Sequence, residues 1–300
     1  LEDFLQHLIN GVNLGAIYAL VALGYTMVYG ILQLINFAHS DVYMVGAFAA
    51  FYGAQYFRLE SHPGVLSLLA LLAIAAAACG FLGVWIERLA YRPLRNSPKL
   101  NLLITAIGVS LFLEFTGQQV FGADPKVFPE VVRDDVLWQW RQVQIRFADA
   151  AIFVVTLVVM LALRYFVKST KTGKAMRAVS QKPEVASLMG ISVDRIISFT
   201  FVLGSAIAGL GSVLVGTKYP RIDPLMGMLI GLKAFVAAVV GGIGSLAGAV
   251  VGGLLMGLSE EMVSGYFSST YRDAFAFGIL ILVLIWRPTG LLGRRQTEKV

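Results

Sequence analysis

Nine runs of apolar residues divide this chain, near 11–34, 37–57, 64–86, 101–121, 150–167, 196–216, 229–243, 245–264 and 273–287. An α-helix needs about 20 apolar residues to cross the hydrocarbon core of a bilayer, and most of the runs have that length. Barrel strands would leave weak alternating segments instead. The pattern therefore predicts an all-α fold, a polytopic transmembrane helix bundle of about eight to nine membrane segments. Residues 1–300 read as a single transmembrane domain, with no separate soluble unit. The count turns on the run at 229–243, which is short and carries Lys233, and so fits a half-span or re-entrant element as well as a full crossing. Between the fourth and fifth runs, "VLWQWRQVQIRF" (Val136 to Phe147) alternates like a short pair of strands.

Composition agrees with a membrane location. Hydrophobic residues make up 57% of the chain and charged ones 14%, and the mean hydropathy of +0.76 lies outside the range of soluble globular proteins. The one cysteine, Cys79, sits in an apolar run, so a single chain builds neither a disulfide framework nor a thiolate metal site. The three histidines, His7, His39 and His62, are far apart and form no metal-ligand or nucleophile–base constellation, so no metal site and no enzyme activity are expected. In a membrane protein a net charge of +6 bears on loop orientation rather than on nucleic acid. Three basic groups are expected to face the cytoplasm: Arg88, Arg92, Arg95 and Lys99; Lys168, Lys171, Lys174, Arg177, Lys182 and Arg195; and Arg287, Arg294, Arg295 and Lys299. The stretch 122–149, with Asp124, Glu130, Asp134, Asp135 and Asp149, is expected outside, which leaves the N-terminus outside and the C-terminus inside. The acidic opening "LEDFLQH" lacks the basic start of a removable signal peptide, so the first run is expected to remain as a span.

Polar groups interrupt the pattern most sharply in "INFAHSDVYMVGA", Ile35 to Ala47. Asn36 suits an N-cap for the second helix, and Asp41 suits that helix's positive end. At about 100° per residue, Asn36, His39, Ser40 and Tyr43 share a face while Asp41 points away, and His39 is left without a structural reason. Further along, Gly244, Gly248 and Gly252 recur every four residues beside Ser245, Ala249, Gly253 and Gly257, a smooth surface for close helix packing, a subunit interface or a moving gate. "VVGGIGS" (Val239 to Ser245) is rich enough in glycine to break a helix, but it has no lysine and follows no strand, so it is no phosphate loop. "KSTKTGKAM" fails the nucleotide pattern as well, with Lys168 where glycine is required and Ala175 where serine or threonine is required. No cofactor is expected on this chain, and any ATP it depends on belongs to another subunit.

The stretch "GKAMRAVSQKPEVASLMGISVDRI", Gly173 to Ile196, reads as a short helix between turns. Ser180 suits its cap, Pro183 and Glu184 its first turn and Gly190 its stop, while Ala186, Leu188 and Met189 give it an apolar side. A docking element for a partner protein, a membrane-surface helix and a solvated loop all fit that spacing.

Motifs along nearly the whole chain carry a resemblance. "NGVNLGAIYALVALGYTMVYGILQLINFAH", "IERLAYRPLRNSP", the Gly173–Ile196 stretch, "GLKAFVAAVVGGIGSLAGAVVGG" and "RPTGLLG" occur in one order. Together they resemble the branched-chain amino-acid ABC transporter permeases, most of all the shorter, H-type subunit of the heterodimeric pair. The resemblance implies an importer of leucine, isoleucine and valine in the bacterial inner membrane. Its expected partners are a second homologous permease, two cytoplasmic ATPases that bind ATP and Mg, and a periplasmic amino-acid-binding protein.

The family also implies that residues of about 168–195 couple to the ATPases, through Gly173, Arg177, Lys182, Pro183, Glu184, Ala186, Leu188, Met189 and Gly190. One departure is Ser40, where such permeases usually carry glycine. A zwitterionic solute needs polar groups and apolar walls, so Asn36, His39, Ser40, Tyr43, Glu114 and Lys233 are candidates for its path, and Asp41 and Glu260 qualify as ionisable groups in apolar runs. Helix-end and interface roles compete for several of them: Lys233 can snorkel, and Glu114 and Glu260 can sit near the outer interface. Two alternatives remain: a related permease for urea or short amides, and an ATP-independent secondary transporter using His39 and Asp41 as a proton relay.

Overall fold

Every apolar run becomes a helix. The computed structural model describes residues 1–95 and 97–293; Arg294, Arg295 and Lys299 of the third basic group lie outside the described residues. The long helices are α1 (Glu2–Leu32), α2 (His39–Tyr56), α3 (Val65–Ile86), α4 (Lys99–Phe121) and α5 (Phe147–Ser169). Two short helices follow, α6 (Lys171–Gln181) and α7 (Pro183–Leu188), and then α8 (Val193–Lys218), α9 (Met226–Gly241), α10 (Leu246–Tyr266) and α11 (Arg272–Trp286). Among the described residues, seven helical segments are long and apolar enough to cross a membrane. The other two apolar runs become α2, which opens on His39, Ser40 and Asp41, and α9, a single helix of 16 residues, or roughly 24 Å at 1.5 Å per residue.

The centre of the bundle is α1, in which every residue from Asn13 to Val28 is buried. A helix buried on all sides needs apolar residues all round rather than one apolar stripe. It packs chiefly on α10, α8 and α9, while α3 lies against α8 and α2 fits between them. At the periphery α4, α5 and α11 expose apolar side chains such as Phe112, Leu161 and Trp286, as lipid-facing helices do.

Lipid tails supply no hydrophobic drive for helix association, so the contacts depend on small residues that let backbones meet. The glycines of α10 do this on two ridges. Gly248 and Gly252 meet Gly241 and Ala237 of α9, and Gly253 and Gly257 meet Ala19 and Gly15 of α1; a Cβ at any of these would overlap the facing backbone. Gly244 is not part of either ridge. It lies in the turn before α10 with φ +90°, because the glycine-rich segment ends α9 at Gly241 and Ser245 then caps α10, accepting from the Gly248 amide at 3.1 Å.

Among the described residues, four strands lie in the connections: β1 (Lys126–Val127), β2 (Val136–Trp140), β3 (Val143–Arg146) and β4 (Arg221–Ile222). The alternating segment is the antiparallel hairpin β2–β3, and β1 pairs with β4, tying the approach to α9 to the same end of the bundle.

Two capping expectations fail. Asn36 is not the N-cap of α2, which starts at His39 without a side-chain cap; its Oδ1 instead accepts from the Tyr91 hydroxyl at 2.8 Å. Buried as it is, Asn36 needs a partner, and Tyr91 satisfies it across the bundle. Nor does Ser180 start a helix. Thr170 caps α6, accepting from the Gly173 amide at 3.0 Å, and Ser180 lies inside α6, donating to the Arg177 carbonyl at 2.8 Å. The break comes at Lys182, held extended by the following Pro183, and α7 begins there as expected, with Pro183 and Glu184 in its first turn and Gly190 (φ +79°) beyond its end.

Candidate functional site

Polar and charged side chains gather in three places. The first is a cavity of about 230 Å³ between α2, α4 and α9. Ser40, Asp41, Ser110 and Glu114 line it, with Phe37, Leu111 and Phe235 among its apolar walls. Ser110 donates to Asp41 at 2.5 Å, and Glu114 follows one turn later on α4. Ser40 donates to the Phe37 carbonyl at 2.9 Å. Gly227 and Gly231 of α9 make room for it, since a Cβ on either would overlap Ser40 itself. Ser40 is thus accommodated by glycines on the facing helix.

The predicted polar face is divided by this geometry. Ser40 reaches the cavity, but Asn36, His39 and Tyr43 do not line it. His39 is wholly buried, its ring 4.6 Å from that of Tyr25, with Gly24 leaving space for it and neither nitrogen hydrogen-bonded among the described residues. Tyr43 is equally buried, and its hydroxyl has no partner among the described residues. Asp41, assigned to the opposite side on an isolated helical wheel, faces the cavity because α4 closes on that side of α2.

Across α9 lies a second cavity of about 270 Å³, with Leu14 and Ile17 of α1, Val215 of α8 and Ile230 of α9 among its walls and Tyr18, Lys233 and Arg272 on its polar side. Behind it Glu260 is entirely buried. One oxygen, Oε2, accepts from Tyr18 at 2.9 Å, Lys233 at 3.1 Å and Arg272 at 2.7 Å, while Oε1 has no partner among the described residues. Lys233 also reaches Asp273 at 2.6 Å. Charges at membrane depth persist when paired in this way. The marginal positions "GLK", "SEE" and "YRD" hold all four ions, yet their meeting depends on three separate helices and is not visible in any one motif.

The third place is at the end of the bundle opposite the hairpin. Arg177 of α6 donates to the Val167 and Lys168 carbonyls at 2.7 and 3.2 Å, occupying acceptors that the C-terminus of α5 leaves open. Gly173 packs directly on the backbone of Phe166 and Val167. On α7, Ala186 is buried, whereas Leu188 is 86% and Met189 77% exposed, an apolar projection flanked by Lys182 and Glu184. A network unnoticed in the sequence braces the base of α8 behind α7. Buried Glu87 accepts from Arg95 and from Ser198 (2.5 Å), and Asp194 pairs with Arg92 (2.6 Å) and Arg95 (2.5 Å). The acidic residue inside the basic stretch "IERLAYRPLR" was the available signal.

Comparison with known proteins is consistent along the whole length. A family profile described as "Branched-chain amino acid transport system / permease component" matches residues 7–284. The high-affinity branched-chain amino acid transport system permease protein BraD of Pseudomonas aeruginosa is 43% identical over 301 residues, covering 99% of this chain and 98% of BraD. The corresponding permease protein LivH of Escherichia coli K12 is 44% identical over 305 residues, with the same coverages. LivM, a second permease protein of the E. coli system, is 25% identical over 93% of this chain and 68% of its own length.

Proposed function

The chain belongs to the branched-chain amino-acid transport permease family, and from that premise we propose that it is the membrane-spanning subunit of an ATP-driven importer for leucine, isoleucine and valine. It is a multi-pass membrane protein, of the bacterial inner membrane in this reading. A second, homologous permease completes the path, two cytoplasmic ATPases bind ATP and Mg, and a periplasmic binding protein delivers the solute. Relatives named as permeases of such systems, matching from end to end, support the solute class.

The observation that carries the coupled mechanism is the exposed pair Leu188 and Met189 at the C-terminal end of α7, on the side bearing the basic loops. A short helix presenting apolar side chains there fits a groove on a soluble partner. ATP binding draws the ATPases together, α7 follows them, and α6 passes the displacement to α5 through Arg177. The helices then open outward to receive solute, and hydrolysis restores the starting state. Along the path, the Asp41–Ser110–Glu114 wall suits the ammonium group of an amino acid, and the apolar side chains opposite suit a branched side chain. Urea and neutral amides carry no charge to match those carboxylates, so the amino-acid reading is favoured over theirs.

Co-expression with the neighbouring transport genes followed by affinity purification tests the assembly. ATPase subunits and a second permease should elute with this chain in fixed ratio; elution of this chain alone, in native lipid, contradicts it.

A further inference from the structure

Resting on the importer reading, we propose that the cavity between α1, α8, α9 and α11 is a receiving site for the α-carboxylate of the incoming solute. Arg272 and Lys233 bind it, and Asp273 is the resident carboxylate that it displaces.

The donors are available. Arg272 uses Nε on Glu260, and among the described residues its two terminal nitrogens make no hydrogen bond, although the side chain lines the cavity. A guanidinium with a free planar fork matches a carboxylate in two parallel bonds. The two protein carboxylates of the cluster are held very differently. Glu260 is sealed from solvent under three donors, whereas Asp273 is 54% exposed and, among the described residues, has Lys233 as its one ion-pair partner. The Asp273 carboxylate can return to water at little cost, and because the Lys233 side chain is only 11% exposed, the contact is given up in exchange for another carboxylate rather than left empty. Glu260 therefore fixes the two cations in place, and Asp273 occupies the position that another carboxylate can take. Exchange leaves the charge of the cluster unchanged, with Lys233 and Arg272 still opposed by two carboxylates.

The remainder of the cavity selects what the carboxylate is attached to. Its walls are aliphatic, and its volume of about 270 Å³ falls just below the usual range of roughly 300–1,000 Å³ for drug-sized ligands. A small molecule with one anionic end and a short branched apolar end matches this size and polarity. Tyr219, on the rim, lies just before β4, so the cavity opens toward the hairpin end, the side expected to face the binding protein.

The test uses the complete permease–ATPase assembly in nanodiscs, with radiolabelled leucine and no binding protein. Ketoisocaproate, which keeps the carboxylate and lacks the ammonium group, should displace leucine, and leucinamide, which lacks the carboxylate, should compete about tenfold more weakly or worse. Arg272→Gln should weaken leucine binding about tenfold, Arg272→Lys less, and Asp273→Asn should strengthen it by removing the resident competitor. Leucinamide competing as well as leucine in the wild-type assembly overturns the proposal without reference to any variant; so does unchanged binding in Arg272→Gln. ATP-driven leucine uptake by the same assembly, with binding protein restored, is read in parallel. Intact uptake with carboxylate-indifferent binding defeats this inference alone, whereas absent uptake defeats the importer reading and this inference with it.

Discussion

Arg177 joins α6 to α5 by donating to the carbonyls of Val167 and Lys168, and this makes the end of a membrane helix and the support of the exposed α7 one mechanical piece. Replacing the guanidinium loses two solvent-exposed hydrogen bonds, together worth about 1 kcal/mol after screening by water, without touching α7 itself. Arg177→Ala is expected to retain bound ATPase and ATP hydrolysis while leucine uptake per ATP falls severalfold. Simultaneous assays of phosphate release and uptake in proteoliposomes check this; an unchanged ratio would show that α6 does not transmit the stroke.

Leu188 and Met189 project from α7 while Ala186 points inward. A charge at Ala186 would disturb packing and say little about docking, so the informative substitutions are Leu188→Asp and Met189→Asp. Burying each apolar side chain in a partner groove contributes about 1.5–3 kcal/mol. The variants should fold normally, as judged by size-exclusion profile, and lose co-purifying ATPase by an order of magnitude or more.

Glu87 is fully buried against Arg95 and Ser198. Removing one partner of a buried ion pair leaves the other charge uncompensated, at a cost of about 3–5 kcal/mol. Glu87→Ala should lower the thermal unfolding midpoint of the detergent-solubilised chain and its membrane yield, and Arg92→Ala, at an exposed pair, should change the midpoint far less.

Gly253 and Gly257 set how closely α10 approaches α1, whereas a Cβ at Gly108 meets nothing within 4 Å. Gly257→Val should therefore prevent stable folding or lower the midpoint strongly, and Gly108→Ala should be neutral or slightly stabilising, since alanine favours a helix over glycine by about 1 kcal/mol. Equal effects at the two positions would contradict the packing described for α1.

The helices were legible because a bilayer demands long apolar runs, and the hairpin because period-two alternation survives in a loop. The first turn of α7 was legible through Pro183 and Glu184, but the break at Lys182 was not, because Ser180, two residues earlier, looked like the cap. What escaped was the partner of each polar group. Asn36 looked like a local cap until Tyr91, 55 residues away, claimed its oxygen, and Asp41 looked misdirected until α4 formed a wall beside it. Glu260 stood out as a buried acid, but only the packing of α1, α9, α10 and α11 brings Tyr18, Lys233 and Arg272 to one of its oxygens. Periodicity identifies a helix face; the neighbour of that face is a tertiary fact.

Leucine uptake into proteoliposomes holding this chain, its partner permease and the ATPases, with binding protein outside and ATP supplied to the ATPases, tests the central claim most directly. Accumulation against a gradient that requires ATP, and stops with a hydrolysis-deficient ATPase, is the predicted result. Accumulation that persists without ATP and follows an imposed proton gradient would contradict it, and would point to a secondary transporter instead.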